Sequence, residues 1–302
     1  MTAVPARDGV DTQVPTTLSG RLTHIVTRGS VRVVLVMVAL LWLVPSLGLM
    51  ITSFRSRAAS SQHGWWELWE GGFTLDNYAQ VLNSSGLPPP GFSDNFVNTV
   101  IISVPGTIFP ITFAALAAYA FAWLDFRCRD WIFLGVVTLL VVPLQVTWVP
   151  VLKIFNSLDI TGSFTGIWLA HTAYGLPFAI FLLRNFMADI PRDLIESARV
   201  DGASDLLIFT KLILPLSMPA MAALGIFQFV WVWNDLMNAI VFLQTPEKYP
   251  LTVGIRNLLG QYGNEFNLLA AGAFISMVVP IIVFFALQRF FVRGITAGAV
   301  KG

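Results

Sequence analysis

The sequence predicts an all-α fold, a polytopic membrane protein with six transmembrane helices. Three observations carry that prediction. Charged residues make up only 12% of the chain, 18 basic and 17 acidic among 302 residues, where a soluble domain carries about a quarter. Six stretches hold no Asp, Glu, Lys or Arg, namely residues 33–54, 95–124, 131–152, 160–183, 212–234 and 266–288; about 20 helical residues suffice to cross a hydrocarbon layer roughly 30 Å thick. Charges flank every stretch and enter none, as expected when an ion at mid-bilayer costs roughly 2.5–3.5 kcal/mol. A single soluble core is excluded.

Residues 1–30 are polar, rich in Thr, Pro, Gly and Arg, and lack periodicity, which predicts a disordered tail. The first span, near 33–54, lies between Arg32 and Arg55. It is longer than a signal-peptide core and no small-residue cleavage pattern closes it, so it is expected to be retained. In the segment that follows, Trp65, Trp66 and Trp69 suit a membrane interface. Leu75, Tyr78, Val81 and Leu82 after Thr74 have helical spacing, and Pro88, Pro89 and Pro90 end that short helix. The second span, near 97–124, runs between Asp94 and Asp125; the third, near 131–152, between Asp130 and Lys153; the fourth, near 160–183, between Asp159 and Arg184. The fifth is expected near 215–236 and the sixth near 266–288. Between these two, the uncharged run 236–246 is too short to span.

Six spans put both termini on one side. Thirteen of the lysines and arginines fall in the N-terminal tail, the second-to-third and fourth-to-fifth loops and the C-terminus, against Arg55, Arg57, Lys153, Lys248 and Arg256 on the other side. The positive-inside bias makes the former side cytoplasmic. A net charge of +1 argues against nucleic acid as a partner. The lone Cys128 forbids an intrachain disulfide, and His24, His63 and His171 have no metal-ligand spacing.

The fourth-to-fifth connection, 185–214, is patterned as structure. Asp189 can cap a helix whose first turn accommodates Pro191, with Arg192, Glu196 and Val200 on one i, i+4 row. Gly202 is placed to let the chain leave that helix in a left-handed conformation. Ser204 and Asp205 can cap a second helix running to Leu214 and Pro215, with Pro219 close behind. Two helices turning at Gly202 would project a knob into the cytoplasm.

The knob's residues, Glu196-Ser197-Ala198-Arg199-Val200-Asp201-Gly202-Ala203 followed by Leu212 and Leu214-Pro215, resemble the EAA loop of permease subunits in ATP-binding-cassette importers. Ser197 stands for the first Ala of that pattern and Leu212 for its Ile. The final residues 291–302, with Phe73-Thr74-Leu75-Asp76-Asn77-Tyr78 and Pro143-Leu144-Gln145, are similar to the maltose-type, carbohydrate-uptake branch. The resemblance implies the type I importer permease fold, with Glu196, Ala198, Asp201, Gly202, Ala203, Leu214 and Pro215 coupling to an ATPase subunit and Gly298, Lys301 and Gly302 in a tail contacting it. It implies a second permease subunit, two ATP-binding subunits that hold ATP and Mg, and an extracytoplasmic sugar-binding protein met by residues 236–264, including Asn238, Gln244, Tyr249 and Gln261. No P-loop pattern occurs in this chain, so no cofactor or ATPase site is expected in it.

Polar groups within the spans are the candidates for a substrate pathway, because an unpaired one in hydrocarbon costs several kcal/mol. At the outer end of the fifth span, Trp231, Asn234, Asp235 and Asn238 combine an aromatic ring with amides and a carboxylate. Helical spacing would set Trp231 with Asn234, and Asn234 with Asn238, on shared faces. His171, Tyr174 and Gln145 are expected to bond between helices. Two other classes fit six spans. A self-sufficient secondary transporter would need intramembrane carboxylates beyond Asp235, and a rhomboid-type protease would need a G-x-S-x-G-like turn to partner His171.

Overall fold

The computed structural model describes residues 18–83, 91–261 and 265–299, and they are helical nearly throughout. Residues 1–51 and 52–302 form separate units. The first is built on α1 (Leu18–Ser53), so the expected tail is helical from Leu18 onward; residues 1–17 and Pro88–Pro90 lie outside the described residues. Once the apolar run has nucleated a helix, each further turn costs little.

The second unit begins with two short helices, α2 (Arg57–Gln62) and α3 (Asp76–Leu82), the latter following Leu75 at its cap, with Thr74 Oγ1 accepting from the Asp76 amide. α4 (Phe92–Trp123) is the second span. α5 (Arg129–Thr138) and α6 (Leu144–Ser157) occupy the third, α7 (Phe164–Ala188) the fourth, and α8 (Arg192–Val200) the knob. α9 (Asp205–Ile208) and α10 (Leu214–Trp233) form the fifth span, α11 (Met237–Phe242) and α12 (Leu251–Gln261) the next loop, and α13 (Phe266–Ala299) the last span. Among the described residues five helices are long and apolar enough to cross a bilayer, and the bent pair α5 and α6 makes a sixth span if counted as one.

The third span departs from the expected single rod. α5 and α6 meet at 106°, because Pro143 has no amide to continue the ladder and holds Val142 in extended backbone, ψ 120°. The fifth departs the other way. The second knob helix does not stop at Pro215 but runs on as one rod from Asp205 to Trp233. Leu214 donates to the Phe209 carbonyl five residues back, a wide turn that makes room for the Pro215 ring. That rod ends at Trp233, short of residue 236.

Besides Pro143 and Pro215, six prolines stand inside helices of the second unit among the described residues, and three of them are repaired from neighbouring helices. Each removes the donor for the carbonyl four residues earlier. Pro105 frees Ile101 O, which accepts from Trp168 Nε1 at 2.9 Å. Pro110 frees Gly106 O, which accepts from Gln228 Nε2 at 3.1 Å, and Pro280 frees Ser276 O, which accepts from Trp233 Nε1 at 3.0 Å. These bonds tie α4 to α7 and α10, and α10 to α13, where hydrocarbon would supply no donor. Gly175 belongs to this design, since a Cβ there would stand 2.7 Å from Gln228 Nε2. Small residues of α4, Ala114, Ala115 and Ala118, are buried against Ala179, Leu183 and Leu224, the close approach that lets membrane helices associate by dispersion.

Candidate functional site

The knob is a closed structural device. α8 starts after Pro191, which stands at its cap; Asp189 ends α7 rather than opening α8. At the other end Gly202 has φ +80°, its amide donates to Arg199 O and the Ala203 amide donates to Ala198 O, both at 3.0 Å. Those two bonds, with a left-handed residue between them, are the Schellman closure, and they give Ala198, Gly202 and Ala203 one shared task. Ser204 then caps α9 through the Leu207 amide.

The knob is bolted to the spans. Arg199 donates to Trp123 O and to Asp205 Oδ1, both at 3.3 Å, and Tyr119 donates to the same carboxylate at 3.4 Å. Trp123 Nε1 donates to Met187 O at 3.1 Å, and Ile195 is buried in the core shared by α4 and α7. The outer surface carries Glu196, Asp201 and the apolar Leu194, Val200 and Leu206, with Val200 87% exposed. Arg199 thus pairs with Asp205 rather than with Glu196, which leaves Glu196 on the free face. Leu214 is half-buried and Pro215 exposed. Gly298 lies in the last turn of α13; Lys301 and Gly302 lie outside the described residues.

The four outer-end candidates do not share one face. The helix ends at Trp233, so Asn234 and Asn238 belong to different elements. Asn234 is exposed and donates to its own helix at Val230 O. Asp235 instead caps α11, its carboxylate accepting from the amides of Asn238 and Ala239 and from Asn238 Nδ2. Asn238 Oδ1 accepts from Trp148 Nε1 on α6 at 2.9 Å. His171 Nε2 stands 3.8 Å from Asp235 Oδ2, with the Trp231 ring edge-on to it. Around this cluster, Asn98 donates to Glu247 O and Tyr249 O, Thr252 to Asp235 O and Lys248 to Gly162 O, so the segment 236–261 is packed on the ends of α4 and α7.

Asp235 lies just past the end of its span. Burial pushes its carboxyl up to about 6, against the three hydrogen bonds that pull it down. A carboxyl so raised contributes stability below its ordinary value of 3.8 and loses that contribution as pH rises through about 6. Melting of the purified chain in detergent is expected to fall from about pH 4 to about pH 6.5 more steeply than that of the Asp235→Asn variant. Parallel curves would refute it.

Trp231 has a different neighbourhood. It lines a cavity of about 580 Å³ between α6, α7 and α10, with Leu144, Thr147, Tyr174, Pro177 and Gln228. Thr147 Oγ1 gives its proton to Leu144 O at 2.6 Å and lies 3.0 Å from the Tyr174 hydroxyl, which is left to donate to it, the bond between helices expected of Tyr174; Gln145 is exposed. Thr147 and Pro177 escaped the sequence reading. Only the Pro143 signal could have found them, by bending the third span toward α7.

Comparison with known proteins gives a consistent result. A family model described as binding-protein-dependent transport system inner membrane component matches residues 106–297. The chain is 51% identical over 289 residues to the osmoprotective compounds uptake permease protein GgtD of Synechocystis, covering 94% of this chain and 95% of the relative. It is 53% identical over 236 residues to the alpha-glucoside transport system permease protein AglG of Rhizobium meliloti, covering 76% of this chain and 61% of that one. Among solved structures it resembles a chain of a bacterial ABC transporter that imports the acidic polysaccharide alginate, with a TM-score of 0.76, 26% identity, and coverage of 91% and 98% of the two chains.

Proposed function

The chain belongs to the family of binding-protein-dependent transport system inner membrane components, and from that premise we propose that it is one permease subunit of an ATP-driven carbohydrate importer in a bacterial inner membrane, with both termini cytoplasmic. It forms half of the translocation pathway beside a second permease subunit. Two ATP-binding subunits hold ATP and Mg, and an extracytoplasmic sugar-binding protein delivers substrate to the outer segment 236–261.

The observation that carries this reading is the knob. A Schellman-closed helix pair, hydrogen-bonded to the end of α4, which is itself hydrogen-bonded to the end of α7, presents Glu196, Val200 and Leu206 outward. A lever of that kind transmits a push only if it is stiff and attached to the spans it must move. The relatives named for alpha-glucoside and osmoprotectant uptake support a sugar or sugar-like cargo, and the alginate importer supports a saccharide one.

The test is purification of the tagged chain with its co-expressed partners, reconstitution in proteoliposomes with the binding protein, and measurement of ATP hydrolysis and uptake across a sugar panel. Co-purified ATPase with hydrolysis stimulated by one or more sugars is the expected outcome. Uptake by the chain alone, without ATP, would overturn the reading.

A further inference from the structure

We propose that Asn98 and Thr99 of α4, with Gly162 ahead of α7, are positioning residues for the sugar-binding protein: they hold residues 243–250 in the one shape on which it docks. The inference rests on the importer reading, which sets this segment against the binding protein, and goes beyond it by naming the groups that shape the dock.

Between α11 and α12, residues 243–250 form a strap with one short turn, Pro246–Lys248, and Pro246 and Pro250 bring no amide to it. Leu243 and Pro250 are buried while Gln244, Pro246 and Glu247 are exposed, so the strap has an apolar underside and a polar tip. Its backbone groups need partners, and several come from other elements. On one side Asn98 Nδ2 donates to Glu247 O at 2.8 Å and to Tyr249 O at 3.2 Å. The Leu251 amide, at the strap's far end, donates to Thr99 Oγ1 at 2.8 Å. Thr99 gives its own proton to Asn95 O, which leaves its oxygen to accept. On the other side the Gly162 amide donates to Phe242 O at 2.8 Å, and Gly162 O accepts from Lys248 Nζ at 2.8 Å and from Thr245 Oγ1 at 3.2 Å.

Two features mark the strap as more than a connection. Gln244 stands at φ +48°, in the left-handed region, which a residue with a Cβ keeps only where its surroundings fix it; such positions gather at binding and active sites. Gly162, at φ +74°, lets the strap come close, since a Cβ there would stand 2.9 Å from Leu243 O and 2.5 Å from Thr245 Oγ1. A plain loop would leave its backbone groups to water, yet here a buried amide and a buried hydroxyl, Asn98 and Thr99, are committed to them. A partner that meets a surface already ordered avoids the cost of ordering it. Because α4 also holds the knob at Tyr119 and Trp123, docking and coupling have to be read separately.

The test titrates the sugar-binding protein against the ATPase rate of the assembled, reconstituted transporter, the binding protein carrying whichever of sucrose, trehalose, maltose and raffinose stimulates best. Thr99→Val keeps the volume and removes the acceptor; Gly162→Ala pushes the strap from its other side. Each should raise the binding-protein concentration for half-maximal stimulation about threefold to tenfold, the effect of roughly one hydrogen bond, with basal hydrolysis, ATPase co-purification and the maximal stimulated rate unchanged. Thr99→Ser, which keeps the oxygen, should titrate as the wild type does. An unshifted titration in either variant overturns the proposal. So does a loss confined to the maximal rate, or a Thr99→Ser variant shifted as far as Thr99→Val. If Thr99→Val loses its ATPase, Gly162→Ala decides alone; loss of the ATPase by both also overturns the proposal, since these contacts then serve assembly rather than docking. A wild type that no loaded binding protein stimulates fails the importer reading first, whereas a stimulated wild type with unshifted variants fails this inference alone.

Discussion

Gly202→Val is expected to abolish most sugar uptake while leaving the chain inserted and the spans folded. Gly202 adopts φ +80°, where a residue with a Cβ pays about 1–3 kcal/mol and a β-branched one the most. The cost is purely conformational, because a Cβ at this position would meet nothing within 4 Å. The chain can escape it by leaving the left-handed region, which breaks the amide bonds to Arg199 O and Ala198 O and swings α9 away from α8. A penalty of that size lowers the population of the docked geometry by about fivefold to 150-fold. Gly202→Asn, which tolerates the left-handed region, should lose far less, and Gly202→Asp adds a charge to the docking face at a similar backbone cost. Uptake in proteoliposomes, together with the amount of ATPase that co-purifies, separates the three variants. Undiminished uptake by Gly202→Val would show that the knob does not need this turn.

The spans and the knob were legible in the sequence for different reasons. A charge in hydrocarbon is costly wherever it stands, so Arg32, Arg55, Asp94, Asp125 and their counterparts mark span ends with no knowledge of packing. Gly202 was legible because a Schellman turn is local, closed within six residues. What failed depended on partners distant in sequence. Pro143 was visible, but whether a proline bends a span or is absorbed depends on which side chain reaches the freed carbonyl, and Trp168, Gln228 and Trp233 are donors that periodicity does not reveal. Pro215 was absorbed by a wide turn and Pro143 was not.

The substrate candidates show the same limit. Grouping Trp231, Asn234, Asp235 and Asn238 extended the 3.6-residue period past Trp233, where the helix stops. Beyond that point the chain turns so that Asp235 can cap α11, and Asn238 meets Trp148 instead of facing the path of Trp231. Of the four, Trp231 alone lines the cavity. Tyr174 and Thr147 join it because the third span bends, a tertiary event with one local sign.

Arg55→Ala is expected to cost about 3–5 kcal/mol and to loosen the segment between the first two spans. Arg55 is only 2% exposed, yet no carboxylate pairs with it among the described residues. Its guanidinium donates instead to three backbone carbonyls, Gly64 O at 2.6 Å, Glu70 O at 2.9 Å and Glu67 O at 3.3 Å. The five donors of a planar guanidinium can serve three acceptors at once, and its weaker hydration makes burial less costly than for an ammonium. Around it the Arg55 carbonyl and Ser53 O both accept from Asn77 Nδ2, whose Oδ1 accepts from Asn267 on α13, and Arg57 pairs with Glu265 at 2.7 Å. One side chain therefore closes the loop that displays Trp66 and Trp69, the latter 96% exposed. Truncating it leaves Glu70 O without a donor among the described residues and strips the charged donor from Gly64 O and Glu67 O, which keep only the amides of Glu67 and Glu70; a hydrogen bond from a charged group is worth about 1.5–3 kcal/mol. Arg55→Lys should recover only part of the loss, since a single ammonium on a shorter reach cannot span all three acceptors. Thermal melting of the solubilised complex and cleavage of residues 57–73 by protease added to the outer face would report it, with Arg55→Ala cleaved fastest, Arg55→Lys next and the wild type slowest. Equal protection of all three would mean that the loop is held by other contacts and that the buried arginine is incidental to it.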